Sequence, residues 1–178
     1  MKTFTIKSSL AYGLSHRLRT MDGQAIVDAC SSFFNALVAI RKNMANADKI
    51  NEANAVFVRA VEDTEAKKRV IFDEEQKNFQ AAKTEIKKDD KEATAKEAEL
   101  SRKFQTEFNK KAAEVQKLSK ADPDSLISVS LGDDEYEKVL IPVFMKTAQL
   151  WDVDGNGKGQ ELFVQVGDAI ENLTPEVK

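Results

Sequence analysis

From Ala53 to Ile86 the chain runs without a glycine or a proline, while Phe57, Val61, Val70, Ile71, Phe72, Phe79, Ala82 and Ile86 recur at helical spacing. With neither a breaker nor a flexible joint, such a stretch reads as a long helix carrying one apolar stripe. The stripe thins toward its end, and KKDDKEATAKEAE, Lys87 to Glu99, holds no large apolar residue. Leu100, Phe104, Phe108, Ala112, Val115 and Leu118 then resume it. One unbroken rod would put its ends on the order of 100 Å apart at ~1.5 Å per residue. The alternative is two antiparallel arms, Ala53 to Ile86 and Leu100 to Leu118, joined by a polar tip near Lys87 to Glu92.

Two strand-like segments decide between them. KTFTIK, Lys2 to Lys7, alternates Phe4 and Ile6 against Thr and Lys, and LISVSL, Leu126 to Leu131, alternates Ile127, Val129 and Leu131 against Leu126, Ser128 and Ser130. A lone strand is unstable in water, and each is the other's best partner. Pairing them requires the arms to fold back. The expected fold is therefore mostly α: a long antiparallel coiled-coil hairpin on a small helical base, with a short two-stranded sheet joining residues 2–7 and 126–131. Residues 1–52 and 121–178 form the base and residues 53–120 the arms.

Within the base, Leu10, Leu14 and Leu18 mark a short helix that stops near Met21 to Gly23. Ile26, Cys30, Phe33, Leu37, Ile40 and Met44 follow with spacings of 4, 3, 4, 3 and 4, the alternation that keeps one stripe against a partner helix. Phe34 and Val38 widen that stripe. Asn43, Asn46, Asn51 and Asn54 cluster after it, and Asp48 is a candidate N-cap, so a break is expected near 45–50. After the second strand, Asp133 and Asp134 open a helix that buries Tyr136, Val139, Leu140, Val143, Phe144 and Ala148, with Pro142 kinking or dividing it. A last helix from about Gln160 to Asn172 turns Leu162, Phe163, Val166, Ala169, Ile170 and Leu173 inward. The TPEVK that follows should fray.

Charge separates the segments. Residues 1–58 hold 7 basic and 4 acidic side chains, residues 59–120 hold 16 and 14, and residues 121–178 hold 4 and 12. The middle is dense but balanced, the signature of a helix face laced with ion pairs. Lys67 with Arg69, the Lys87 pair and Lys110 are each answered by neighbouring acids, as in EAKKR, KKDDKE and EFNKK. A nucleic-acid partner is not expected, since the acidic C-terminal segment would repel phosphates. The start, MKTFTIKSSL, lacks the continuous apolar core of a signal peptide, and no window approaches the ~20 apolar residues of a membrane span. A cytoplasmic protein without membrane contact is expected. The single cysteine, Cys30, excludes an internal disulfide framework.

DVDGNGKGQELF, Asp152 to Phe163, opens like a helix-loop-helix calcium loop. Asp152, Asp154 and Asn156 stand at loop positions 1, 3 and 5, and Gly157 at the turning position 6. Position 12, where a bidentate Glu closes such loops, is Phe163, and position 8 is Gly159. Glu161 at position 10 reaches an ion only if the loop is two residues tighter than the standard form. Asp152, Asp154, Asn156 and Glu161 are thus the candidate metal ligands, and Ca2+ held by them would bind weakly. The simpler reading is a turn whose Asp and Asn side chains bond their own backbone. No other cofactor is expected.

Catalytic constellations are missing. His16 is the only histidine, and Cys30 falls on an apolar stripe, so neither forms a nucleophile–base pair. The acids of DDEYE and FDEEQ belong to helix exteriors, and no glycine-rich phosphate loop follows a strand. No enzyme activity is expected.

The layout of a short N-terminal strand, a charged helical middle containing EFNKKAAEVQKL, and a strand running into SVSLGDDEYEKVLIPVF resembles small uncharacterised proteins of tailed bacteriophages. The resemblance implies an intracellular, phage-encoded protein, in the host cytoplasm or the virion, with no catalytic residues to carry over. The first functional class expected is a non-enzymatic structural or interaction protein that acts in virion assembly or on a host protein. A protein partner or self-association is expected. The candidate contact residues are Phe57, Phe72, Phe79, Phe104 and Phe108, which a two-helix hairpin leaves partly uncovered. The second functional class is a cation-responsive helical module built on the 152–163 loop.

Overall fold

A computed structural model describes residues 1–30, 35–86, 93–148 and 158–173. The fold is mostly α with one small antiparallel sheet. The chain divides into two compact units, one formed by Met1–Val58 with Asp122–Lys178 and the other by Arg59–Ala121.

The first unit is organised by its sheet. Strand β1 (Lys2–Lys7) pairs antiparallel with β2 (Leu126–Leu131), in a register that sets Phe4 against Val129 and Ile6 against Ile127. Because side chains alternate along a strand, this register brings Phe4, Ile6, Val129 and Leu131 to one buried face. On the other face the Thr3 and Ser130 hydroxyls bond at 2.8 Å.

Helix α1 (Ser8–Thr20) follows β1 directly and buries Leu10, Leu14 and Leu18. Met21 is extended, and Asp22 then caps α2 (Gly23–Ala29), its carboxylate accepting from the Gln24 and Ala25 amides. Helix α3 (Ala36–Ala53) lies antiparallel to α1. Arg19 pairs with Asp48 at 2.6 Å, Ser15 donates to Asn51, and Asn54 reaches back to the carbonyl of Ser8.

The apolar stripe expected from Ile26 to Met44 does not belong to one helix. Helix α2 ends at Cys30, and α3 starts afresh at Asn35, whose side chain accepts from the Leu37 amide. The restart shifts the phase: Leu37 is 59% exposed and Met44 37%, Ile40 of the expected stripe still packs against the core, and the fully buried face is Ala39, Asn43, Asn46, Ala47 and Ile50. Phe33 and Phe34 lie outside the described residues. The break expected near 45–50 falls instead at Asn54, and Asp48 is not an N-cap but a mid-helix partner of Arg19. The asparagine amide nitrogens find partners on this buried polar face, while the Oδ1 atoms of Asn43, Asn46 and Asn54 are buried without one among the described residues. The Nδ2 groups of Asn43, Asn46 and Asn54 donate to the carbonyls of Leu18, Glu135 and Ser8 at 2.7, 2.9 and 2.8 Å. Each is a fixed tie between α3 and a neighbouring backbone.

After Gly132 comes a helical run in three pieces: α6 (Asp133–Glu135), a π-helical turn (Tyr136–Leu140) and α7 (Ile141–Lys146). The expected effect of Pro142 takes this form. A proline has no amide to donate and crowds the preceding turn, so the ladder widens just before it, with the Ile141 amide bonding the Tyr136 carbonyl. Tyr136, Val139, Leu140, Val143 and Phe144 are buried, and the Tyr136 hydroxyl donates to the Ile170 carbonyl. Burial pushes that phenol's pKa up, with Glu171 adding to the shift.

The last helix, α8 (Lys158–Glu171), buries Val166 and Ile170 and stacks Phe163 on Phe144 at 4.4 Å. Leu162 and Leu173, expected inward, are 44% and 38% exposed; Leu162 lies about 100° round the helix from Phe163, and Leu173 follows the helix and bridges to Phe4. The terminal TPEVK lies outside the described residues.

Candidate interaction surface

The second unit is built from α4 (Ala55–Thr84), which starts just before it, and α5 (Ala93–Lys117). Helix α5 begins seven residues ahead of Leu100, inside the segment that lacks apolar residues. Ala, Lys and Glu are strong helix formers, and they carry the helix there without a core to pack on. The tip expected near Lys87 to Glu92 lies outside the described residues.

The partners across the seam fall in opposite order along the two helices, which makes the pair antiparallel. Thr64 and Ser119 bond through their hydroxyls at 2.9 Å, Lys68 donates to Gln116 at 2.7 Å, Glu75 pairs with Lys111, and Lys83 reaches Glu97 at 3.2 Å. The hydrogen bond and charge of Glu75 hold the Lys111 ammonium above its ordinary pKa. Ions and hydroxyls thus occupy seam positions where a tightly packed helical pair would carry aliphatic residues.

What apolar contact exists is aromatic. Phe72 meets Phe104 and Phe108 edge-on, with ring centroids 5.6 and 5.5 Å apart, and Phe79 meets Phe104 at 5.6 Å. Edge-to-face rings at this spacing attract beyond the area they bury. Yet the cluster is not enclosed. Helix α5 buries none of its residues, α4 buries only Thr64 and Glu75, and Phe72 is 38% exposed. An open groove beside the cluster is lined by Glu62, Glu65, Ala66, Lys68, Arg69, Phe72 and Phe108. A second, beyond Glu75, is lined by Phe79, Ala82, Leu100 and Phe104.

Of the five phenylalanines expected to act together, the structure brings four into one cluster. Phe57 is the exception. It packs edge-on against Tyr12 at 5.9 Å in the first unit, because it lies on the first turn of α4, before the second unit begins. Nothing in the EFNKK and FDEEQ patterns marks which charges face the seam, where the largely buried Glu75 meets the half-exposed Lys111.

For the calcium-type loop, Asp152, Asp154 and Asn156 lie outside the described residues. Glu161 sits in the first turn of α8, exposed, and accepts from Gln165 at 3.4 Å. Among the described residues no group of three or more His, Cys, Asp or Glu side chains could hold a metal ion. His16 is exposed on α1, and Cys30 is buried at the end of α2, where desolvation raises its thiol pKa. Among the described residues no helix is long and apolar enough to cross a membrane. Compared with known proteins, the chain matches no family model, no curated protein and no solved structure.

Proposed function

We propose that this is a non-enzymatic interaction protein and that the α4–α5 pair, a coiled-coil hairpin, is its contact element. One observation carries the reading: α5, 25 residues long, buries none of its own residues, while four phenylalanines gather along the seam it makes with α4. A helix pair gains stability by covering its apolar stripe, and one that leaves its aromatic cluster open gains more when a partner covers it. The resemblance in layout to tailed-phage proteins supports a role in virion assembly or against a host protein.

The test places a photo-crosslinking phenylalanine analogue at position 72, and for comparison at Val56, which is 85% exposed in the first unit. In cells expressing the full chain, position 72 should give a discrete adduct that Val56 does not, and Phe72→Glu in a competing untagged copy should fail to displace it. Equal labelling at both positions, or none at 72, removes the reading.

A further inference from the structure

The groove beside Phe72 has an order of charges that selects its occupant. Glu62, Glu65, Arg69 and Phe72 succeed one another along α4 at spacings of 3, 4 and 3, so they share one face of the helix and line that groove. The order is acid, acid, base, aromatic; Lys68, which also lines the groove, is turned to Glu65 and to Gln116 of α5. Laid parallel against itself, this face sets Glu65 against Glu65 and Arg69 against Arg69. Reversed, it sets Glu65 opposite Arg69 and Glu62 opposite Phe72, and the two-fold axis repeats both contacts. The face is complementary to its own reversal and not to an in-register parallel copy of itself.

The charges are available for such a contact. Among the described residues, neither Glu62 nor Arg69 belongs to any of the ion pairs, and Glu65 meets only Lys68, through a carboxylate that is 62% exposed. A pair that exposed is weak and exchanges its partner readily. Ala66, beside Glu65 in the groove lining, is small enough to let a second helix approach closely. Each Phe72 would then lie on the methylene stem of the opposing Glu62 and be withdrawn from water.

We propose that the occupant is a second copy of this chain: two α4 helices cross antiparallel, with Glu65 of each facing Arg69 of the other, in a symmetric dimer. This rests on the α4–α5 pair being the contact element, and adds the partner and the register. A contact of a few helical turns is small for a stable interface, so its Kd should fall at about 1–100 µM.

The experiment is light scattering and sedimentation on the full purified chain, from about 1 µM to 500 µM, bracketing that range. The mass should rise from 19.9 kDa toward twice that value, and less steeply at high salt. Glu65→Arg and Arg69→Glu should each weaken the dimer by about tenfold or more, since each sets like charges face to face twice. Mixed in equal amounts, the two variants should recover association to within about threefold of the unaltered chain, because each supplies the charge the other lacks. A folding defect cannot be repaired by mixing. Circular dichroism on each variant confirms that helicity is kept.

A chain that stays monomeric throughout overturns the proposal but leaves a foreign partner on the same surface. A dimer untouched by either charge reversal, or not restored by mixing, overturns the register. A dimer that also survives Phe72→Glu forms through another surface and overturns the proposal, while the reading it rests on stands or falls by the crosslinking at position 72.

Discussion

Gly132 stands where β2 gives way to α6, and a Cβ there would come 2.0 Å from Glu135 Oε2. The missing side chain lets the Glu135 carboxylate fold back over the first turn and meet Lys42 of α3. The Lys42 hydrogen bond, then the residue's own backbone amide, holds the Glu135 pKa below the ordinary carboxylate value. The linkage has a definite sign. A carboxylate with a lowered folded pKa stabilises the fold above its unfolded pKa of about 4.3, and that contribution is lost as pH falls through the folded value. Unfolding measured from pH 7 to pH 3 should therefore show the unaltered chain ahead of Glu135→Gln near neutrality and converging with it in acid. A gap that stays constant over that range would refute the role given to Lys42. Gly132→Ala should reproduce part of the neutral-pH loss, because the added methyl displaces the same carboxylate.

Among the elements, α5 depends most on its neighbour. It buries nothing of its own and holds to α4 through the Phe104 and Phe108 rings and scattered polar bonds. Phe104→Ala removes ring contacts with Phe72, Phe79 and Phe108 together, a change of about 1–3 kcal/mol for partly covered aromatics. Far-ultraviolet dichroism should show lost helix while the near-ultraviolet signal of the first unit persists; full helicity at the same temperature would show that the rings contribute little. The elements also show where the sequence could be read and where it could not. The strands were legible because an alternating pattern has one meaning and each strand had one credible partner. Helix α3 was misread because Cys30, Phe33 and Leu37 keep perfect spacing across a break that no glycine or proline announces. Its true inner face is alanine and asparagine, and those asparagines are buried only because carbonyls of Ser8, Leu18 and Glu135 arrive from elsewhere in the chain. A residue whose burial depends on a distant acceptor leaves no local trace. The aromatic cluster was visible in the spacing of Phe72, Phe79, Phe104 and Phe108, whereas the place of Phe57 depended on where one unit ends.

At the scale of the whole molecule the two units differ in how they are held. The first has a continuous apolar core from Phe4 through Leu140 to Ile170, and the second has aromatic contact without a buried apolar residue. Opening free energies follow such differences. Amide hydrogen exchange should find α5 exchanging orders of magnitude faster than α1, and the proposed dimer predicts that this contrast shrinks at high concentration. Equal protection in α1 and α5 at low concentration would contradict the division. The sheet carries a different consequence. Lys7 hydrogen-bonds into a ladder whose other strand starts at Leu126, so the second unit is an insertion between two halves of the first. A ribosome delivering roughly 5–20 residues per second leaves β1 without its partner for on the order of ten seconds. During that interval Phe4 and Ile6 lack the Val129 and Leu131 side of their core, and the inserted helices are complete before the unit that contains both ends of the described chain can form.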